Sequence, residues 1–406
     1  MDVAVDSPAL LRGRWRDVAR ASNLLDAGGH VAPTVFAQMS ALAVATGSIN
    51  LGQGFPDTDG PASLLRDAAD AVLNGVNQYP PGRGVPELRQ AIAAHQKRFY
   101  ELDVDPDAQV LVTAGATEAI AAALMALVEP GDEVIVLEPY YDAYAACIEL
   151  AGARRRTVPL RFPSYVLESG ALAAAVGPDT RAILLNTPHN PTGHVLSAEE
   201  LAEVASVAIE HDLLVITDEV YEHLLFDGRR HVPIATLPGM AERTLTISSA
   251  GKTFSVTGWK IGWVTGPAEL VEAVTTVKQF LTYVNGAPFQ PAVARALALP
   301  DEVFADVAAR LQAGRDLLTE GLVAAGFTVS RPGGTYFVVA DAAPLGYDDG
   351  MQLCLDLPRL AGVVAVPVRV FHDDVSAGAS LVRFAVCKRP EVLEEAARRL
   401  GGLRRG

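Results

Sequence analysis

Cysteine is scarce in this chain of 406 residues, which has only Cys147, Cys354 and Cys387, far apart in the sequence. They form no CxxC pair and no cysteine–histidine cluster, so neither a disulfide framework nor a zinc site is expected. A reducing cytoplasm is the compartment that this composition favours. We therefore expect a cytoplasmic protein without a metal site.

Long apolar runs and an excess of positive charge are also missing. No apolar run reaches the roughly 20 residues of a membrane span, and Met1–Asp6 lack the basic and apolar regions of a signal peptide. The formal net charge of −15 disfavours nucleic acid or an anionic membrane as a partner. Half of the residues are hydrophobic and a fifth are charged, as in ordinary globular proteins, and the length predicts at least two lobes.

Between about residues 60 and 300, short apolar runs alternate with helical segments. The runs are rich in Val, Ile and Leu and mostly lack polar alternation, as expected of strands buried on both faces. The predicted strands are Gln109–Thr113, Glu133–Glu138, Ala182–Asn186, Leu213–Thr217, Thr244–Ser248 and Ile261–Thr265. Helices are predicted over Thr117–Val128 and, after a capping box at Ser197 and Glu200, to about His211. This order predicts an α/β fold with an open, mostly parallel sheet between helices.

Past Pro291 the pattern changes to a long helix over about Asp301–Ala325, several strands and a final helix from Pro390. A second, smaller α+β lobe is therefore predicted, packed closely against the first because no linker separates them. We predict that residues 1–55 form an N-terminal arm and part of the small domain, residues 56–295 the large domain, and residues 296–406 the C-terminal small domain.

The sequence around Lys252 is rich in small residues and hydroxyls: residues 248–254 are SSAGKTF, and Lys260 follows in TGWK. A lysine amine is nucleophilic only when it is not a solvated ammonium. Burial and nearby positive charge lower its pKa, and such amines form Schiff bases with carbonyl compounds. Small neighbours admit a bulky cofactor, and hydroxyls with a second cation suit a phosphate. Lys252 is thus a candidate nucleophile, although an isolated Gly-Lys pair would indicate only a surface loop.

Four other segments directly follow predicted strands, and ligands of open α/β sheets bind beyond the carboxyl ends of strands. Residues 114–117 are small and open a helix, which suits a phosphate. Tyr141 is an aromatic that can stack on a planar ring or simply pack. Asn190 lies in a rigid turn between prolines, where it binds a ligand or caps its own backbone. Asp218 ends an apolar strand, where it needs a cationic partner or serves as a helix N-cap.

Near the C-terminus, Arg383 lies alone in the apolar strand Leu381–Val386. A guanidinium in such surroundings suits bidentate capture of a carboxylate. The structural alternative is an ion pair with an aspartate or glutamate of the chain itself.

Together, NPTG at 190–193, DEVY at 218–221, SAGKTF at 249–254, TGWK at 257–260 and VRF at 382–384 resemble class I, fold-type I pyridoxal-phosphate aminotransferases. The resemblance runs from about residue 30 to the C-terminus, and the ordered set is highly specific. Leu51–Asp57, Asn77–Gly82 and Gly286–Pro291 are similar to the kynurenine/glutamine/methionine aminotransferase branch, and most of all to enzymes called N-succinyldiaminopimelate aminotransferases.

The resemblance implies a seven-stranded, mostly parallel sheet in the large domain and pyridoxal 5'-phosphate as the cofactor. Lys252 matches the Schiff-base lysine, which also carries the proton between substrate and cofactor. Asp218 matches the partner of the pyridine nitrogen. The other implied cofactor contacts are Asn190 and Tyr221 at the 3'-oxygen, Tyr141 on the ring, and Ser249, Lys260 and the amides of Ala116 and Thr117 at the phosphate. Lys260 stands where many relatives have arginine, and lysine at this position occurs in the kynurenine-type branch.

The resemblance also assigns the substrate and the partner. Arg383 is implied to clamp the α-carboxylate, with Asn190 and Gly54 beside it, and Tyr79 to reach the phosphate of a neighbouring subunit. A homodimer with shared active sites follows. No second arginine is found for a side-chain carboxylate, which disfavours aspartate as the substrate, although an arginine from the partner subunit stays open.

The expected function is transfer of an amino group between an L-amino acid and a 2-oxo acid such as 2-oxoglutarate. The amino acid is of the N-succinyl-diaminopimelate, methionine, glutamine or kynurenine type. A cysteine-conjugate β-lyase is the alternative, since it uses the same lysine and ring. An aminotransferase-like regulatory domain is more remote, because such regulators carry a winged-helix domain upstream and about 30 residues cannot supply one.

Overall fold

The structure, a computed structural model, describes residues 13–26 and 28–403. The strands are β1 (Ile49–Asn50), β2 (Val110–Ala114), β3 (Glu133–Glu138), β4 (Arg154–Pro159), β5 (Thr180–Asn186), β6 (Leu214–Asp218), β7 (Thr244–Ser249), β8 (Ile261–Thr265), β9 (Thr328–Val329), β10 (Phe337–Asp341), β11 (Val363–Val364), β12 (Val366–Pro367) and β13 (Leu381–Ala385). The helices are α1 (Trp15–Ala21), α2 (Val35–Thr46), α3 (Ala62–Leu73), α4 (Pro86–Tyr100), α5 (Gly115–Leu127), α6 (Asp142–Ala151), α7 (Ala171–Ala175), α8 (Ala198–Glu210), α9 (Ala250–Thr253), α10 (Ala268–Lys278), α11 (Phe289–Leu297), α12 (Asp301–Ala325), α13 (Gly350–Ala361) and α14 (Pro390–Leu400).

Seven strands form one sheet in the order β2-β8-β7-β6-β5-β3-β4. Only β8 runs antiparallel to its neighbours; the other pairs are parallel. Along β3, Val134 and Val136 belong to the core shared with α5, α6 and α10, whereas Ile135 and Leu137 belong to the core shared with α8. Successive strand residues face opposite sides, so helices cover both faces. The predicted α/β fold with a mostly parallel, seven-stranded sheet is confirmed.

The edge strand β4 is absent from the predicted strands. It begins Arg154-Arg155-Arg156, and Val158 alone among its residues is buried. The guanidinium of Arg156 donates two hydrogen bonds of 3.0 Å to the carboxylate of Glu133 on β3. An edge strand has one neighbour and one solvated side, and charged residues protect it from pairing with other chains. A search for apolar runs cannot find such a strand.

The predicted helix boundaries agree with the structure to within two residues. At the start of α8, the Ser197 hydroxyl accepts from the amide of Glu200 at 3.2 Å and the Glu200 carboxylate accepts from the amide of Ser197 at 2.7 Å, which is the predicted capping box. The long helix α12 starts and ends as predicted, and the final helix α14 starts at Pro390 as predicted. Helix α5 begins at Gly115, two residues earlier than expected.

The C-terminal part has an antiparallel sheet in the order β12-β13-β10-β9, with α12 packed against α14. Strand β1, near residue 50, pairs in parallel with β11 and so joins this part of the molecule. The domain boundaries 1–55, 56–295 and 296–406 stay a prediction, which this pairing supports.

At the N-terminus, α1 packs against α6 of the same chain, and Arg14 donates to the carbonyl of Glu149 at 3.1 Å. The arm predicted over residues 1–30 lies partly outside the described residues. Among the helices described, none is both long and apolar enough to cross a membrane.

Candidate active site

The segments singled out in the sequence meet at one edge of the seven-stranded sheet. The carboxyl ends of β2, β3, β5, β6 and β7 lie there, and because β8 is antiparallel, its first residue follows Lys260 at the same edge. The register places Asn186 opposite Asp218, and Ser249 opposite Gly262. Parallel strands thus bring side chains more than 100 residues apart in sequence to one rim.

A cavity of about 330 Å³ opens at this edge. Its walls include most of the predicted site residues, which are Gly54, Ala116, Thr117, Tyr141, Asn190, Asp218, Tyr221, Ser249, Lys252, Lys260 and Arg383. The volume falls in the range of sites for small molecules and cofactors. Tyr79 does not line this cavity.

Lys252 lies in the short helix α9 that directly follows β7. Its side chain is partly exposed to the cavity, and its Nζ atom donates to the hydroxyl of Tyr336 at 3.0 Å. Burial of the amine lowers the pKa of Lys252, and the cations Lys260 and Arg383 act in the same direction. A larger fraction of the amine is therefore neutral and nucleophilic than in an exposed lysine.

Asp218 ends β6 and is buried, with 5% of the residue exposed. The Tyr144 hydroxyl donates to Oδ2 at 2.7 Å and the Val220 amide donates to Oδ1 at 3.4 Å. Burial raises the pKa of Asp218 to about 6, against the opposing effects of these hydrogen bonds and of Lys252. The residues that follow form turns, so Asp218 is not the N-cap of a helix. Among the described residues no cation forms an ion pair with it, so the carboxylate suits a cationic ligand.

Asp218 is the only one of three neighbouring carboxylates that faces the cavity. Glu219 pairs with His231 at 2.6 Å, and Glu222 accepts from the Tyr100 hydroxyl at 2.6 Å and from the Ser248 hydroxyl. These bonds lie behind the rim and hold the loop after β6 against β7. Asp218 is therefore the carboxylate available to a ligand in the cavity, whereas Glu219 and Glu222 have structural roles.

Arg383 lies on β13 with 2% of its surface exposed. Nη1 donates to Oδ1 of Asn190 at 3.0 Å and Nη2 to the carbonyl of Gly52 at 3.4 Å, whereas Nε has no hydrogen-bond partner. The guanidinium lies over the rings of Phe337 and Phe371, at 4.0 and 4.7 Å. Burial lowers the pKa of Arg383 to about 10, so it stays charged at neutral pH. It forms no ion pair with the chain described, in contrast to the structural alternative.

Asn190 does not cap its own backbone. Its backbone N–H donates to Oδ1 of Asn186 at 2.7 Å, and its side-chain oxygen accepts from the guanidinium of Arg383. The side-chain NH₂ group keeps its donors for a ligand.

The first turn of α5 and Lys260 form an anion-binding corner. The amides of Gly115, Ala116 and Thr117 have no acceptor within the helix, and the positive end of the helix dipole lies there. Gly115 has φ of +75°, and a Cβ atom on it would lie 3.2 Å from Nζ of Lys260. A Cβ on Gly262 would lie 2.6 Å from the Gly115 carbonyl carbon, so only glycine fits. With the nearby Ser249 hydroxyl, this donor set fits a phosphate.

The chain matches the model of the family "Aminotransferase class I and II" over residues 46–400. The chain belongs to the class I and II aminotransferases. It is 55% identical to the probable N-succinyldiaminopimelate aminotransferase of Mycobacterium tuberculosis, over 92% of this chain and 96% of that protein. A solved structure of the M. tuberculosis N-succinyldiaminopimelate aminotransferase superposes with a TM-score of 0.89 and 56% identity, covering 92% of this chain and 98% of that chain.

Two further relatives belong to the same branch. The methionine aminotransferase of Escherichia coli is 39% identical over 90% of this chain and 95% of its own length. Kynurenine–oxoglutarate transaminase 3 of the mouse is 37% identical over 89% and 86%. The resemblance to class I aminotransferases and the prediction of a transaminase are confirmed, and these relatives give no support to a β-lyase.

In this aminotransferase, Tyr79 lies away from the cavity of its own subunit. Tyr79 is 81% exposed, and its ring lies 5.5 Å from that of Tyr283. Phe280, which is close to Tyr283 in the sequence, is 85% exposed. Its predicted role toward a neighbouring subunit stays a prediction.

Some residues of the aminotransferase cavity were missed in the sequence. They are Phe36, Gln53, Phe55, Ile120, Asp142, Val220, Gly251, Thr257, Ile261 and Phe337. Most of those that lie in or next to a motif, such as Thr257 in the motif that contains Lys260, can be assigned to the cavity from their position in the sequence. Phe36 on α2 and Phe337 on β10 come from other parts of the chain, and only the tertiary fold brings them to the rim.

Proposed function

We propose that the cavity binds pyridoxal 5'-phosphate and that the enzyme transfers an amino group between an L-amino acid and a 2-oxo acid such as 2-oxoglutarate. The observation that carries this proposal is the combination of three uncompensated groups on one cavity. Lys252 has an amine of lowered pKa, and within the described part of the chain the Asp218 carboxylate pairs with no cation and the Arg383 guanidinium pairs with no carboxylate.

The donor set around the cavity suits each part of this cofactor. When bound, pyridoxal phosphate supplies a carbonyl for the lysine and an electron-withdrawing ring. Asp218 would pair with the protonated ring nitrogen, which would be the cationic partner that this carboxylate lacks within the described chain. The remaining contacts that we propose are Asn190 and Tyr221 to the 3'-oxygen, Tyr141 on the ring, and Ser249, Lys260 and the amides of Ala116 and Thr117 to the phosphate.

The protein side of the reaction needs one group to move a proton and one to orient the substrate. Lys252, with its lowered pKa, can take a proton from the substrate Cα atom and return it. Arg383 lines the cavity and pairs with no carboxylate of the described chain, so its guanidinium can bind the α-carboxylate of the substrate. With Gly54 and Asn190 beside it, this clamp fixes the orientation of the Cα–H bond that breaks.

The cavity also bears on the side chain of the amino donor. Among the residues described, its lining cations are Lys252, Lys260 and Arg383, all of which have a proposed partner. The aromatic rings of Phe36, Phe55 and Phe337 line the same space. Within one subunit the described cavity therefore offers no free cation to a side-chain carboxylate, which disfavours aspartate, and the second carboxylate of 2-oxoglutarate or N-succinyl-diaminopimelate would need a cation from the partner subunit. Since the M. tuberculosis relative is 55% identical, we propose the N-succinyl-diaminopimelate type first, before methionine, glutamine and kynurenine.

The proposed substrate clamp predicts that Arg383→Lys lowers kcat/KM by roughly 10- to 100-fold, since lysine cannot form two parallel bonds to a carboxylate. Single-turnover loss of the visible absorbance of the loaded enzyme, measured across a panel of amino acids, gives both specificity and this ratio. Exposed Arg398→Lys is the control. A best rate with aspartate, or Arg383→Lys equal to the control, contradicts the proposal. Pyruvate and ammonia formed without an oxo acid would instead indicate a β-lyase.

We further propose a cytoplasmic homodimer in which Tyr79 of one subunit reaches the phosphate of the other. The exposed rings of Tyr79 and Phe280 support a contact surface there, and the three buried, unpaired cysteines fit a reducing compartment.

Hybrid dimers test this arrangement. Lys252→Ala and Tyr79→Asp subunits, each nearly inactive alone because they lack the amine or repel the phosphate, are expected to regain activity when unfolded and refolded together. One hybrid site then has both an intact Lys252 and an intact Tyr79 from the partner. If Tyr79 acts within its own subunit, both hybrid sites are defective and no activity returns. A monomer by sedimentation equilibrium would also exclude shared sites.

A further inference from the structure

The hydroxyl of Tyr336 lies between the amine of Lys252 and the backbone of Gly54. Nζ of Lys252 donates to this hydroxyl at 3.0 Å, and the hydroxyl donates to the Gly54 carbonyl at 2.6 Å. A carbonyl oxygen can only accept, so the phenolic proton points to Gly54. The phenolic oxygen must then accept from the amine. This fixes the direction of the chain of bonds, from lysine to tyrosine to carbonyl.

Tyr336 has little freedom to leave this position. It is 1% exposed, and its ring lies 5.4 Å from that of Tyr221 and 4.8 Å from that of Phe337, edge to face in both contacts. Its carbonyl accepts from the amide of Val386 at 2.8 Å. A buried ring held on several sides provides a rigid acceptor for the amine.

The direction of the bond matters for a lysine that transfers protons. A neutral amine has two N–H bonds and one lone pair. When one N–H is directed at Tyr336, the lone pair points away from that hydroxyl, and one of the spaces that Lys252 lines is the cavity shared with Asp218 and Arg383. An acceptor at this place therefore orients the amine without using the electrons that react.

We propose that Tyr336 is a positioning residue for Lys252: its hydroxyl accepts one N–H of the amine and so aims the lone pair into the cavity. The inference rests on the proposed role of Lys252 in proton transfer. Tyr336 belongs to none of the sequence motifs and acts only through the lysine. A ring that served packing alone would be replaced by phenylalanine without effect.

The proposal predicts that Tyr336→Phe lowers kcat by about tenfold, which corresponds to the loss of one hydrogen bond, with a smaller change in KM. It also predicts a lower pKa of Lys252 in the apoenzyme. An ammonium donates to a phenol oxygen more strongly than an amine does, so removal of the acceptor favours the neutral form. The other groups acting on the amine are Cys387, Asp218, Lys260, Arg383 and the ring of Tyr221, and all are unchanged in the variant.

The pKa is read from the pH dependence of Lys252 modification by trinitrobenzenesulfonate in the apoenzyme, located by peptide mass. Tyr165→Phe is the matched control, since its ring is equally buried and its hydroxyl has no partner in the structure. Should Tyr336→Phe fail to fold, 3-fluorotyrosine at position 336 keeps the hydroxyl but weakens it as an acceptor, and shifts the profile in the same direction.

The proposal is overturned if Tyr336→Phe has the same kcat and the same pH dependence of Lys252 modification as Tyr165→Phe. It is also overturned if 3-fluorotyrosine at position 336 leaves that pH dependence unshifted. This outcome is distinct from a failure of the proposed function. An enzyme inactive with every amino acid would refute transamination, whereas the apoenzyme profile would still report the bond between Lys252 and Tyr336.

Discussion

Lys252→Ala is expected to lower kcat/KM by about 10⁴-fold or more with every amino donor, the upper range for a positioned acid–base group. The substitution removes both the nucleophile that faces the cavity and the group proposed to move the proton. Among the described residues that line the cavity, the other lysine is Lys260, and it cannot take over because its Nζ atom lies at the anion-binding corner beside Gly115. Leucine, isoleucine or methionine at this position should have the same effect, since none carries a basic nitrogen.

The measurement has a covalent part and a kinetic part. Borohydride reduction of the wild type loaded with pyridoxal phosphate should add the cofactor mass to the peptide that contains Lys252, and the variant should show no such addition. A small primary amine added to the variant should restore part of the rate, since it replaces the missing base. The control, Lys97→Ala, removes an exposed lysine that pairs with Asp103. If Lys252→Ala kept the visible absorbance of the wild type, the assignment of the nucleophile would be wrong.

The rim of the sheet was predictable because its residues follow strands that are apolar on both faces. Strands such as β3 stand out in any window of sequence, and the residue after each one has to lie at the carboxyl edge. Asn190, Asp218 and Lys252 could thus be placed on one cavity before any tertiary contact was known. Their neighbours in sequence are small or rigid, which is a local signal as well.

The rest of the cavity has no such local signal. Phe337 begins an antiparallel strand of the C-terminal part and Tyr336 directly precedes it, and nothing in their own segment shows that they meet Lys252 and Arg383. Their place depends on how the two sheets pack. The same reason explains why the Arg383 interpretation was left open, since only the fold shows that no carboxylate of the described chain reaches it. Strand β4 is absent from the prediction because its arginines contact solvent and Glu133 and do not pack in the core.

Asp218→Asn is expected to lower kcat by about 10³-fold. In the proposed complex, Asp218 forms a buried pair with the ring nitrogen, and removal of one partner of a buried pair costs about 3–5 kcal/mol, or about a thousandfold. Asparagine keeps the size and can still accept from Tyr144, but it has no charge to hold a proton on the ring. Tyr144→Phe, which leaves the charge and removes one hydrogen bond of 2.7 Å, should have a much smaller effect.

The same substitution should make the apoprotein more stable at neutral pH. The folded-state pKa of Asp218 is raised to about 6 from an ordinary value of 3.8. The stability linked to this group is fully present below pH 3.8 and is lost as the pH rises through about 6, because the buried carboxylate must ionise. The loss amounts to roughly 3 kcal/mol. Asparagine does not titrate. The free energy of unfolding of Asp218→Asn should therefore rise relative to that of the wild type by this amount between about pH 4 and pH 7.

Denaturant unfolding of the two apoproteins across this pH range measures the difference directly, and other groups such as Asp142, whose pKa burial also raises, cancel because both proteins have them. Addition of pyridoxal phosphate should reverse the order. A cation beside Asp218 lowers its pKa again and converts the unfavourable charge into an attraction. If the stability difference did not depend on pH, or if the cofactor left it unchanged, Asp218 would not be the uncompensated carboxylate that the cavity presents. The desolvation cost that Asp218 imposes on the empty protein would thus be offset in the loaded protein by the attraction between its carboxylate and the ring nitrogen of the cofactor.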